Sequence, residues 1–226
     1  HTGINSRIVH SFINSQFAYY FKEKILRPDS LHVELNSRLG SIFDTTPRVQ
    51  SSLPDDDRLK EVPIVQLSAI DEVYRLNFAR SRADFFINNR QDSSVTFAYQ
   101  RQDFVEKTKK IWEYFEEKDL GISWIGFVTI FFLGMENPAI SASKLLKDTI
   151  KEVSQGEPSE VSIRYSSKVQ ILGTGVNNLL DLQHGAVKFS NSETPRTGVF
   201  ITRDFNTKPT EQLNFSPKNL EEFIAE

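Results

Sequence analysis

The two halves of this chain carry the same order of residue patterns, displaced by about 114 or 115 residues. Val9 to Phe17 (VHSFINSQF) lines up with Trp124 to Phe132 (WIGFVTIFF), the segment ending Phe86-Ile87-Asn88 with the one ending Phe200-Ile201-Thr202, and Val105-Glu106 with Leu220-Glu221. Read through, each half is strand, helix, three strands, helix. Strands joined in meanders by short turns imply an α+β fold, with a mostly antiparallel sheet and helices gathered on one face. The expected organisation is a first half over residues 1–120 and a second over 121–226, either as two units or as one continuous domain. Residue identity between the halves is low, and α+β chains of this size also reach such an order without duplication, so both origins stand.

The repeat decides segments that periodicity leaves open. Between Arg7 and Phe21, Ile8, Phe12 and Tyr19 suit a helical face while Val9, Ile13 and Phe17 suit either period; the match to Trp124–Phe132 favours a strand. After Arg27-Pro28, Asp29 or Ser30 is placed to cap a helix through Leu31, Leu35, Leu39, Ile42 and Phe43. Asp44 to Val62 is rich in turn formers and reads as an exposed loop. Ile64–Leu67, Val73–Ala79 and Ala83–Asn88 read as strands, the last two forming a tight hairpin over Arg80-Ser81-Arg82. Gln100 to Lys118 is the clearest helix: Phe104, Thr108, Ile111, Trp112 and Phe115 share a face, and Gly121 is placed to cap it. In the second half, Ile122–Leu133 reads as a strand, a helix opens at Asn137-Pro138, and Gln155–Pro158 is a turn. Val161–Ile171, Val176–Val187 and Val199–Phe205 are strands, and Ser216-Pro217 starts a helix. By the repeat, that helix is expected to continue past Glu226.

Composition narrows the function classes. With 27 basic and 30 acidic residues the net charge is −3, so no global field draws the protein to nucleic acid or to an anionic membrane. The absence of cysteine excludes disulfides, thiolate metal sites and a cysteine nucleophile, and fits a reducing compartment, the cytoplasm. The most apolar run, Ile122–Met135, is shorter than the roughly 20 residues a spanning helix needs and reads as a buried strand. The 18 phenylalanines suit a strand-rich core.

No catalytic motif emerges. His32 and Glu34, two apart on a helix, point in different directions, and His10 and His184 have no neighbouring carboxylates of ligand spacing, so no metal or other cofactor is expected. Gly173-Thr174-Gly175-Val176-Asn177-Asn178 lacks the third glycine of a dinucleotide fingerprint and leads into a strand; it reads as a hairpin turn. No serine elbow or triad context occurs. Asp84, alternating with Ala83 and Phe85 in a strand, is expected to face solvent or to pair across strands. Asp55-Asp56-Asp57 cannot converge as calcium ligands do and reads as a solvated loop. The candidate binding residues are Arg80, Arg82, Arg90 and Arg101, interleaved with Phe85, Phe86, Phe97 and Tyr99; arginine beside aromatics is how single strands are held, although Asp84, Asp92 and Asp103 dilute the field.

Tyr74-Arg75-Leu76-Asn77-Phe78 running into Ala83-Asp84-Phe85-Phe86-Ile87-Asn88, then the Phe104–Phe115 helix and the apolar strand after Gly121, resembles a sporadically distributed family of uncharacterised bacterial proteins. The likeness runs from Pro63 onward and rests on hydrophobic pattern, and the first strand departs from that family's usual opening. It implies no activity and no catalytic residues. The expected function is therefore a non-enzymatic binding or interaction module, contacting a protein or peptide partner, or a second copy of itself, through a sheet edge or a groove between the halves. Two alternatives are a nucleic-acid-associated factor of a bacterial defence or mobile-element system, and an enzyme with a carboxylate site assembled between the halves.

Overall fold

The structure, a computed structural model, describes residues 10–50, 53–90, 97–140, 160, 162–188, 193–208 and 213–225. In chain order these form β1 (His10–Phe21), α1 (His32–Arg38), β2 (Arg48–Val49), β3 (Val65–Ser68), β4 (Tyr74–Phe78), β5 (Arg82–Asn88) and α2 (Phe97–Glu117). There follow β6 (Ile122–Gly134), β7 (Ser162–Ile171), β8 (Thr174–Val187), β9 (Arg196–Thr207) and α3 (Leu220–Ala225). The strands make one nine-stranded sheet in the order β2-β3-β4-β5-β1-β6-β9-β8-β7. Every pairing is antiparallel. The fold is thus α+β as expected. Outward from the central β1–β6 pair the order reads β5, β4, β3 on one side and β9, β8, β7 on the other.

One face of the sheet is apolar and covered. Phe17, Tyr19 and Phe21 of β1 alternate toward α2, whose Phe104, Thr108, Ile111, Trp112 and Phe115 are buried, as their spacing predicts. The contacts are ring against ring: Tyr19 meets Phe115 edge-on at 5.2 Å, and Phe85 stacks on Phe104 at 5.2 Å. The Tyr19 hydroxyl donates to the Thr108 carbonyl at 2.7 Å, so burying this phenol leaves no polar atom stranded. α1 packs beside α2, held by Arg38 to Glu117 and by Lys118 to Glu34 at 2.6 Å, and sends Leu35 into the core. The opposite face is polar along its centre. There Asp84, buried as a residue, accepts from Gln16 at 2.8 Å across the strand and from Arg82 at 2.5 Å, while Tyr20 stacks on Trp124.

Several local expectations are corrected. α1 ends at Arg38, not Phe43, because Gly40 and Ser41 adopt positive φ (76° and 58°) and turn the chain; Phe43 is still buried, tied by its backbone to the Asn36 side chain. Neither Asp29 nor Ser30 caps α1: Asp29 binds Arg27, Ser30 bonds the Arg27 carbonyl, and residues 28–30 form a separate 3-10 turn. After α2 the left-handed residue is Asp119 (φ 56°), followed by a Leu120 N–H bond to the Phe115 carbonyl, so Gly121 is not the cap. The turn placed at Gly173–Asn178 is shorter: Leu172 and Gly173, both with positive φ, join β7 to β8, and Thr174 is already in the strand. The loop at 44–62 contains the short β2 and a 3-10 turn at Asp57–Leu59. Ser216 forms the predicted cap, as a reciprocal box with Asn219. Residues 138–140 are helical; the rest of the helix expected after Pro138, and the turn at 155–158, lie outside the described residues. Among the described residues no helix is long and apolar enough to cross a membrane.

The packing has a consequence at high pH. Burial raises the Tyr19 hydroxyl well above its ordinary value against the Thr108 hydrogen bond, and pushes Tyr20 and Tyr114 up to about 12. Tyr74 is raised by burial and by Asp103, to which its hydroxyl donates. A tyrosine raised in the folded state stabilises the fold fully below its unfolded pKa, near 10, and that contribution is lost as pH rises through the folded value. Absorbance at 295 nm should therefore show ionisation of Tyr19, Tyr20, Tyr74 and Tyr114 delayed until it coincides with loss of circular dichroism, near pH 12. A single phase at the ordinary tyrosine value would contradict this packing.

Candidate functional site

A cavity of about 320 Å³ opens on the helix-covered face where β1 meets β6. Its floor is unusual for this core, because two small hydroxyl side chains lie directly opposite one another on the two central strands. Ser15 and Thr129 are register partners, both buried, with their hydroxyl oxygens 3.0 Å apart. Around them stand large rings. Phe12 and Phe131, also register partners, close one side edge-on at 6.0 Å, while Phe104 of α2 and Phe127 of β6 lie 6.2 Å apart on another. Ile87 of β5, Phe205 of β9 and Ile224 of α3 complete the apolar wall. The space exists because neither Ser15 nor Thr129 fills the volume that a ring would fill at that level.

A register shift in β1 helps to build this wall. Asn14 pairs with Ile130 but Phe12 pairs with Phe131, so one extra residue, Ile13, is accommodated in between. The bulge breaks strict alternation and brings Phe12 to the same face as Ser15, three residues away. The first turns of α2 then carry three residues to the opening: Gln100, Arg101 and Phe104.

The polar groups at the cavity can all donate. Gln100 is only 3% exposed, and its Nε2 has no hydrogen-bond partner among the described residues. Of the two hydroxyl hydrogens on Ser15 and Thr129, one is used between them and the second remains to offer. Arg101 donates to the Ile224 carbonyl at 3.3 Å, and the exposed Arg203 guanidinium lies over the Phe205 ring at 4.4 Å. Both arginines line the cavity. No carboxylate, histidine or metal-ligand cluster is part of the lining.

The four arginines singled out in the sequence do not form one patch. Arg80 is 11% exposed in its side chain and donates to the Pro54 and Leu53 carbonyls at 2.7 and 2.9 Å. Arg82 is held by Asp84 and by Glu61 at 3.3 Å and covers the Tyr20 ring, on the opposite face from the cavity. Arg90 sits by the Tyr74 hydroxyl. Arg101 alone reaches the cavity. Ser15, Gln100, Thr129 and Arg203 carry no motif and were not legible as site residues, because the β1–β6 register that brings them together is a long-range pairing. A larger hollow of about 880 Å³ lies beside residues 134–140, His184 and Arg196, but it is a broad open surface and borders residues outside the described set.

No protein-family model matches this chain, and no curated protein does. The site is therefore read from its own geometry.

That geometry makes a stability prediction. A buried amide without a partner forfeits its hydration, so Gln100→Leu, of similar volume, should raise the unfolding free energy by about 1 kcal/mol or more. Thr129→Val leaves the Ser15 hydroxyl unpaired and should cost about 1–3 kcal/mol, most of it recovered in the Ser15→Ala/Thr129→Val double variant. Urea denaturation measures all three; a destabilised Gln100→Leu would show that the amide has a structural partner.

Proposed function

We propose that this protein is a non-enzymatic binding module that takes an apolar group of its partner or ligand into the cavity between β1 and β6. The observation that carries this reading is the cavity itself: a space of about 320 Å³ ringed by phenylalanines and retaining a buried, unpartnered amide. Such a space costs stability in a core that is otherwise packed ring to ring, and its volume falls within the range of ligand sites. A lining without carboxylate or histidine offers no general acid or base, which favours binding over catalysis. We also infer that the two halves arose by duplication. Supporting this is the equal strand order outward from the β1–β6 pair: β5, β4, β3 on one side and β9, β8, β7 on the other.

A second reading is favoured by the sheet's far edge. β7 is the last strand of the order, ten residues long, with Tyr165 59% exposed, and an extended peptide or a second copy would add beside it. Arg164 and Lys168 on the same strand are the charges that edge strands use against such pairing, which makes this the weaker reading. The nucleic-acid reading is supported less still, since Arg80 and Arg82 are already engaged by protein acceptors.

The cavity reading is tested with a neutral probe and a filled variant. Ser15→Ala/Thr129→Leu places extra methyl groups in the space without leaving a hydroxyl unpaired. Titrating indole or toluene should shift the methyl resonances of Ile87, Thr129 and Ile224 in the wild type, and the Ile87 and Ile224 shifts should vanish in the filled variant. The filled variant should also melt a few degrees higher, in keeping with about 1 kcal/mol of recovered packing. Absence of probe binding to the wild type, or equal binding to both, would remove the reading.

A further inference from the structure

We propose that the ligand of the β1–β6 cavity is a small amphipathic carboxylate: an apolar, ring-sized body enclosed by the phenylalanines, with its single carboxylate held at the opening by Arg101 and Arg203. This rests on the cavity being a binding site and goes on to name the chemistry of what binds there.

The argument is one of complementarity. Every polar side chain at the cavity can donate: the unpartnered Gln100 Nε2, the Ser15–Thr129 hydroxyl pair, and two guanidinium groups that can only donate. Neither Arg101 nor Arg203 has an acidic partner among the described residues, unlike Arg38, Arg80 and Arg82, which lie within 4 Å of a carboxylate. Leaving two arginines unneutralised beside one apolar space, together with a desolvated amide hydrogen donor, matches an anionic head on an apolar body. A guanidinium is planar and pairs best with a planar, two-oxygen acceptor, which selects carboxylate over a spherical anion. Arg203 is pre-positioned by its stacking on Phe205, and Arg101 by its bond to the Ile224 carbonyl, so little ordering is needed when the anion arrives.

Size sets the body. A dry apolar cavity of about 150 Å³ holds a benzene ring. At about 320 Å³ this one has room for a ring and a short chain. 4-Phenylbutyrate has that form, and 4-phenylbutanamide is its neutral counterpart with the same body.

The experiment compares the two by calorimetric titration of the full chain at pH 7 in low salt. The acid should bind at least about tenfold more tightly than the amide, and the ratio should fall as salt is raised to a few hundred millimolar, because the distinguishing interaction is charge-assisted. Arg203→Gln and Arg101→Gln should each reduce the acid's advantage by about threefold or more while leaving the amide's affinity within about twofold. Gln100→Leu should weaken the acid more than the amide. Equal affinity for acid and amide would overturn the carboxylate assignment and leave the cavity reading intact. Binding of neither would overturn both, and an acid preference unchanged by both arginine substitutions would place its recognition elsewhere.

Discussion

Everything in this fold depends on the antiparallel pairing of β1 with β6. Each is the inner strand of its own meander, and their pairing fuses two four- or five-stranded arrays into a single nine-stranded sheet. Because side chains alternate with a period of two, the register of that pair decides which residues face α2 and which face the open side. With Ser15 opposite Thr129 and Phe17 opposite Phe127, the rings of Phe17, Tyr19, Phe127 and Phe131 fall on the covered face. Gln16, Ala18 and Tyr20 fall on the other, where Gln16 meets the Asp84–Arg82 pair and Tyr20 meets Trp124. A slip of one residue would bury the amide and expose the rings.

The same pairing creates the cavity. Most of the covered face is filled by rings in mutual contact: Phe17 against Trp112 and Phe223, Phe21 against Phe78 and Phe115. At one level the two central strands contribute a serine and a threonine instead, and the bulge before Asn14 adds Phe12 to the wall without filling the floor. A core selected only for stability would place a larger apolar residue there and would not keep Gln100 desolvated and unpaired. The departure from good packing, the orphaned amide and the two cations without acidic partners occur at one place, and that coincidence separates the cavity from the other hollows on the surface.

Much of the fold was legible because its signals are local. Alternation in Tyr74–Phe78 and the spacing of Phe104, Thr108, Ile111 and Phe115 place their elements correctly. The errors are at ends and caps, where several residues compete for one backbone role: Gly40 and Ser41 stop α1 earlier than its apolar spacing suggests, and Asp119 takes the left-handed position that Gly121 is equally suited to take. The candidate site was much less legible. The arginines around the β4–β5 hairpin are close in sequence, but Arg80 turns to a loop carbonyl, Arg82 to the open face, and Arg101 to the other side of the sheet. Proximity along a strand and helix says little about direction, since neighbouring strand residues point to opposite faces.

The amino-acid sequence by itself determined the long strands among the described residues, their order and the apolar face of α2, since these follow from periodicity within one segment. It also determined that cysteine chemistry is excluded. Only the tertiary structure decided that β1 and β6 pair, that the register brings Ser15 against Thr129, and that Gln100, Arg101 and Arg203 converge on the space above them. Those facts join residues on four different elements. Long-range pairing is set by how whole faces bury against one another, which no single stretch of the chain encodes.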